Sequence, residues 1–271
     1  MPCSFHLGAA PSVIYREYAP PSALRPYLVC AWTLDIGAGH RSLRQRILPD
    51  GCADIVWIGE KAPIVVGPMT RSVPSTSEAE TRVVGLRFRP EAGARVLGVP
   101  AGELTDRHVP LDQLWRSDAV DEISARLLEQ RSSVRKVAVA QSLLISRRDL
   151  FAAPDPVVQQ ALALIGAVRD VQVEKLADEI GISARQLRRR FTASTGYSPK
   201  AFQRILRFQR LLAIANANPS TRLDHLALMG GYADQAHMTR EVGQFAGARP
   251  TALLGKVVSA LALSDLLTSP E

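Results

Sequence analysis

The chain has 271 residues, 46% hydrophobic and 22% charged, a globular balance that excludes extended disorder and suits two domains better than one. Its formal net charge is +7, and residues 154–254 alone hold 13 Lys/Arg against 8 Asp/Glu. Cys3, Cys30 and Cys52 form neither a CxxC pair nor a Cys/His cluster, which argues against a zinc site or a disulfide framework.

No run of about 18 apolar residues occurs, and the opening MPCSFHLGAAPSVIY lacks basic residues and is broken by prolines. Neither a membrane helix nor a signal peptide is expected, so the expected location is the cytoplasm. The first hundred residues read as strand-rich. Tyr27–Asp35 alternates, and IGAGH supplies a turn. Leu48-Pro49-Asp50-Gly51 is a strong turn signal, because proline presets φ and glycine accepts positive φ. Ala53–Ile58 and Arg82–Phe88 read as short buried strands, and PEAGARVLGV as a short helix begun by Pro90. From Ala119 the spacing turns helical, in VDEISARLLEQ and VRKVAVAQSLLIS. Ala152-Ala153-Pro154-Asp155-Pro156 marks a boundary, and the chain then reads helical to about Ser259. Strands first and helices second predict an α+β chain: a β-rich domain over 1–118, a helical connector over 119–153, an all-α domain over 154–259 and a tail over 260–271.

The helical half contains a repeat. LADEIGISARQLRRRF (176–191) and LALMGGYADQAHMTREV (226–242) align at an offset of 50 through Gly181 and Gly231, and of 51 afterwards. Each has the parts of a helix-turn-helix. Leu-Ala lies on a first helix, a glycine accepts positive φ at the exit, and Ile182 or Tyr232 plugs the corner. Ser183 or Asp234 then caps a second helix, whose inner face carries Leu187 and Phe191, or Met238 and Val242. Recognition helices are therefore expected over 183–193 and 234–243. Helical geometry turns Ala184, Arg185, Arg188 and Arg189 outward in the first, and Gln235, Ala236, Thr239 and Arg240 in the second. Arginine suits guanine O6/N7 and phosphate, and glutamine suits adenine N6/N7. Between Ile180 and Leu223 lie nine basic residues and no acidic one, as a polyanion surface requires and as a solvated helix face also permits. Ser198-Pro199 opens a connecting helix to about Asn216, roughly 27 Å long. Its inner stripe is Ala201, Ile205, Phe208 and Leu212; Arg204, Arg207 and Arg210 point elsewhere and are candidates for phosphate contact. A rod of that length is expected to hold two reading heads about one DNA turn apart.

These pieces, with the closing Gly247-x-x-Pro250 turn, resemble the AraC/XylS family of bacterial regulators over about residues 155–255. The resemblance implies a double helix-turn-helix domain that reads DNA through Arg185, Arg188 and Arg189, then Gln235, Ala236, Thr239 and Arg240. Two departures stand out: Val242 where the family usually has phenylalanine, and Gly243 inside the second recognition helix, at a cost of roughly 1 kcal/mol. LPDGCADIVW and VVGLRFRPEAGARVLGVPAGELTDRHVPLDQLW resemble a cupin-like sensor domain, which implies a β-barrel and a sensing or oligomerising role but names no effector. The implied partners are double-stranded promoter DNA, an unknown small-molecule effector, RNA polymerase and a second copy of the chain, with no cofactor and no membrane.

Other residues admit two readings each. His40 and His108 would suit a metal-bearing cupin only within a His-x-His and carboxylate cluster, which is absent, so no metal is expected. Cys52 is either a packing residue or a redox or alkylation sensor. Asp50, Asp54, Arg87 and Arg89 either line a barrel mouth or form strand-end ion pairs. Trp32 and Trp57 either line a ligand pocket or fill a core, and His237 either touches phosphate or packs. A cupin-like isomerase or dioxygenase would need three convergent metal ligands that the sequence lacks. An alkyl-DNA repair fusion would need a reactive cysteine after Cys52, and a helical half that binds protein instead of DNA would show no salt-dependent affinity for random duplex. No enzyme activity is expected.

Overall fold

Nine strands and eleven helices follow one another along the computed structural model, which describes residues 4–5, 13–37, 42–168 and 170–254. Cys3, His40 and everything after 254, including the tail 260–271, lie outside the described residues. The strands are β1 (Ser4–Phe5), β2 (Val13–Tyr18), β3 (Leu28–Ile36), β4 (Ser42–Ile47), β5 (Asp54–Ile58), β6 (Ile64–Val66), β7 (Val73–Glu78), β8 (Arg82–Phe88) and, after two short helices, β9 (His108–Pro110). Those helices are α1 (Ala92–Leu97) and α2 (Ala101–Leu104), and α3 (Ser117–Leu128) and α4 (Ser133–Arg147) follow β9. Pro90 precedes α1 instead of opening it: Glu91 takes the N-cap position, and the amide of Ala92 turns back to the Arg89 carbonyl at 2.9 Å.

Seven strands pair antiparallel in the order β1-β2-β3-β8-β5-β6-β9, and β4 and β7 form a separate two-stranded ribbon. Side chains alternate across each strand. One face of the large sheet, with Ile55, Trp57, Val65, Val84, Leu86 and Phe88, packs into a core shared with α1, α3 and α4. The other face, with Trp32, Leu34, Val56, Ile58, Ile64 and Val83, borders a cavity of about 450 Å³, and the ribbon closes it from the far side. The expected α+β organisation is present, with a β-rich N-terminal region of two sheets and a helical C-terminal domain. Trp32 and Trp57 pair with adjacent residues of β8, Gly85 and Val84, and so fall on opposite faces: Trp32 meets the cavity, and Trp57 fills the core at 4% exposure.

Register explains Gly85. It pairs with Trp32 across β3 and β8, and a Cβ built on it would stand 2.0 Å from the indole ring. The ring can lie against the sheet only because position 85 has no side chain.

The C-terminal helices are α5 (Pro156–Ala167), α6 (Val173–Ile180), α7 (Ala184–Thr195), α8 (Pro199–Ala217), α9 (Leu223–Met229), α10 (Gln235–Ala246) and α11 (Pro250–Leu253). Asp155 and Pro156, at the expected boundary, are the N-cap and first residue of α5. Leu187, Phe191, Phe202, Phe208, Met238 and Val242 form the core of this domain, and Cys52 from the barrel is buried in the same cluster. Burial pushes the Cys52 thiol well above its ordinary range, so it stays protonated and packs as a small apolar group.

Gly85→Ala is expected to cost about 1–3 kcal/mol by overpacking and to alter the near-ultraviolet circular dichroism of Trp32. An unchanged denaturation midpoint and spectrum would show that the indole does not lie over position 85.

Candidate nucleic-acid interface

The repeat read from the sequence is a repeat in geometry. Gly181 and Gly231 both take positive φ, +80° and +82°. The next amide in each unit reaches back to the same helix position, Ile182 to the Ala177 carbonyl at 3.0 Å and Tyr232 to the Ala227 carbonyl at 2.9 Å. Both bonds close the first helix in the Schellman manner. Ser183 then caps α7 through a reciprocal box with Gln186: its hydroxyl accepts from the Gln186 amide at 3.2 Å, and the Gln186 side-chain oxygen accepts from the Ser183 amide at 3.1 Å. Asp234 caps α10 by accepting from the His237 amide at 2.6 Å. The His237 ring packs edge-on to Tyr232 at 5.2 Å, which favours its packing role.

Both recognition helices run longer than the 183–193 and 234–243 read from sequence, ending at Gly196 and Gly247, each with positive φ. Arg185, Arg188 and Arg189 are exposed on α7, and Gln235, Ala236, Thr239 and Arg240 on α10. Ala184 is half-buried and packs on the core. Among the described residues, Arg188 alone of the four arginines pairs with a carboxylate, Glu174 at 2.6 Å. Both partners are about half exposed or more, so the bond is a weak tether of roughly 0–1 kcal/mol that a phosphate or a guanine can displace. Arg190 instead holds the cap residue Asp155, at 2.6 and 2.8 Å, as part of the scaffold.

The connector arginines do something the sequence did not show. Arg204 and Arg207 both bind Glu241 of α10, at 2.7 Å each, and Glu241 is 3% exposed. Burial opposes its charge, but the hydrogen bonds and charges of Arg207 and Arg204 outweigh burial and hold its carboxyl below the ordinary range. The same guanidiniums lie over the Phe245 and Tyr232 rings, at 5.3 and 4.9 Å. Arg204 and Arg207 are therefore a clamp between α8 and α10. Because α10 folds back to the first half of α8, the separation of the heads depends on how α10 is clamped as well as on the rod's length.

The barrel touches all three elements of this interface. Just after α7, the Thr105 hydroxyl donates to the Gly196 carbonyl at 3.1 Å, and the buried Tyr197 hydroxyl donates to the Met69 carbonyl at 2.9 Å. On α8, the Gln209 amide donates to the Pro49 carbonyl at 2.5 Å. At the end of α10, the Ser72 amide donates to the Phe245 carbonyl at 2.6 Å, and the Ala246 carbonyl accepts from Ser72 Oγ at 2.9 Å and Arg46 Nη1 at 3.0 Å.

Arg46 also lines the cavity, as do Gln209 and Leu212 of α8. The cavity therefore lies between the barrel and the connecting helix. Its polar end is Arg87, paired at 3.3 Å with both Asp50 and Asp54. Burial raises the Asp54 carboxyl to about 6 despite Arg87. Burial also opposes the Arg87 charge, but Asp54 and Asp50 outweigh it and keep the guanidinium firmly protonated. Arg89, grouped with these residues in the sequence, instead donates to the Arg25 carbonyl outside the cavity. His108 stands at the cavity wall, and among the described residues no group of three His, Cys, Asp or Glu is placed to hold a metal. No helix of the described residues is long and apolar enough to cross a membrane.

Residues 176–256 match the family model of a helix-turn-helix domain, and residues 16–110 match a domain of unknown function, DUF6597. Among solved structures the chain is similar to ToxT from Vibrio cholerae, at 9% identity and a TM-score of 0.46 over 80% of this chain and 98% of that one. It is also similar to ToxT with an unsaturated fatty acid bound, at 10% identity and a TM-score of 0.44 over 81% and 98%. The comparison with curated proteins found no match.

Two substitutions on α10 separate the clamp from intrinsic helix propensity. Glu241→Ala strands Arg207, 13% exposed, and is expected to cost about 3 kcal/mol. Gly243 is exposed and a Cβ there meets nothing within 4 Å, so Gly243→Ala is expected to add about 0.5–1 kcal/mol. Denaturant unfolding of the full chain checks both; a loss below about 1 kcal/mol for Glu241→Ala would show that the pair does not hold the helix.

Proposed function

We propose that this chain regulates transcription in the AraC manner, through the helix-turn-helix domain matched at 176–256 beside the DUF6597 domain at 16–110, with α7 and α10 reading successive major grooves of one operator. The observation that carries this reading is the duplicated capped unit, which presents Arg185, Arg188 and Arg189 from one helix and Gln235, Thr239 and Arg240 from the other. Ala236 offers its methyl for apolar contact with thymine. The protein works where its promoter is, in the cytoplasm, and has no catalytic role. The barrel is the sensing domain, and its cavity takes a small-molecule effector: about 450 Å³ falls within the usual size of ligand sites. Contact with RNA polymerase and pairing with a second copy belong to the same reading.

The first head should carry more of the affinity. It presents three arginines, whereas the second presents one, on a helix that contains Gly243. Loss of an arginine that grips guanine with both nitrogens should cost about 1–3 kcal/mol and relax preference at one base pair. Binding of Arg188→Ala, Arg189→Ala and Arg240→Ala to one operator and its single-base variants measures this. Greater damage from Arg240→Ala than from either first-head change would reverse the ranking, and three wild-type affinities would remove these faces from DNA.

A further inference from the structure

Resting on the reading of the cavity as the effector site, we propose that it selects an apolar molecule carrying a protonated amine, with the ammonium seated by Asp50 and Asp54 under the indole of Trp32. Three features of the wall lead there. The first is its charge. The more enclosed of the two described cavity arginines is Arg87, 14% exposed, and it is already shared by two carboxylates at 3.3 Å. Arg46 is exposed and its Nη1 is committed to the Ala246 carbonyl. A ligand carboxylate at this end would enter beside Asp50 and Asp54, where the nearest guanidinium, Arg87, is already shared between them. A ligand cation meets the negative charge that Arg87 leaves over.

The second feature is the aromatic pair. Trp32 and Tyr15 stand 6.0 Å apart at 33° on the cavity face. One indole face rests on Gly85, and the other borders the cavity. The Trp32 N–H is near enough to Asp54 to favour its ionised form yet makes no hydrogen bond of good geometry. Aromatic faces beside carboxylates are the surroundings that ammonium groups prefer. Behind Tyr15, Glu17 is 4% exposed, accepts from the Tyr15 hydroxyl at 2.7 Å, and has its other oxygen unpartnered, which adds to the acidity of this end. Burial raises the Asp54 carboxyl to about 6 against the pull of Arg87.

The third feature is the remaining wall. Leu34, Val56, Ile58, Ile64 and Val66 make it apolar, as a hydrocarbon tail requires.

Calorimetric titration of the full chain with decylamine, decanol and decanoate at neutral pH, below their aggregation limits, tests the assignment. Decylamine should bind at least tenfold tighter than decanol, and decanoate most weakly. Asp54→Asn should weaken decylamine at least tenfold and leave decanol unchanged; Asp50→Asn serves the same purpose should Asp54→Asn not fold. Decanoate or decanol binding as tightly as decylamine would overturn the amine assignment while leaving the cavity a ligand site. No binding by any of the three would overturn both. Neither result alters the operator measurements, which test DNA reading separately.

Discussion

The last carbonyls of a helix have no partner within it, and in this protein the cap carbonyl of α7 and the last two carbonyls of α10 accept hydrogen bonds from the other domain. Thr105 serves the end of α7 at Gly196, and Ser72 and Arg46 serve the end of α10 at Phe245 and Ala246. Arg46 also places a cation at the negative end of a helix dipole. The close approach has a steric condition: a Cβ at Gly196 would stand 2.7 Å from the Thr105 hydroxyl and 2.9 Å from Pro68. The orientation of each reading head is therefore a property of the interface between the domains, as much as of the helices themselves.

The ribbon β4–β7 has two jobs because of this arrangement. Gln45, Ile47, Pro74 and Thr76 wall the cavity, and Arg46, within the same strand, reaches the end of α10. Gln209 joins the cavity wall to the Pro49 carbonyl from the connecting helix. Arg46 and Gln209 thus belong both to the cavity wall and to the contacts that join the sheet domain to α10 and α8. Glu241 ties the same two helices together through its pairs with Arg204 and Arg207.

Much of this was legible in the sequence because the signals were local. Turn glycines, caps and three- and four-residue spacing placed both helix-turn-helix units, and Arg82–Phe88 was bounded correctly by its apolar run and Pro90. The ribbon was missed: SLRQRI and VPSTSE are polar strands, and their partners are each other and a cavity instead of a core. The Glu241 clamp was missed for a different reason. Its partners are 34 and 37 residues away in the chain, and no spacing rule links a carboxylate in one helix to arginines in another. Likewise, Asp50, Asp54 and Arg87 were legible as a group, but Arg89, which alternation alone would place on the face of Arg87, is sorted away from them because β8 ends at Phe88. Cys52 was expected to be buried, and the core it joins turned out to be that of the other domain.

The central claim is that the barrel sets the relation between the two reading heads through the carbonyls at their ends. It is tested most directly by electron paramagnetic resonance distances between spin labels at Arg185→Cys and Ala236→Cys in the full chain with Cys3→Ser. The account predicts one narrow distance distribution, broadened when Ser72→Ala and Arg46→Ala are added together. A distribution equally narrow with and without those two substitutions would contradict it, and would place control of the heads within the helical domain alone.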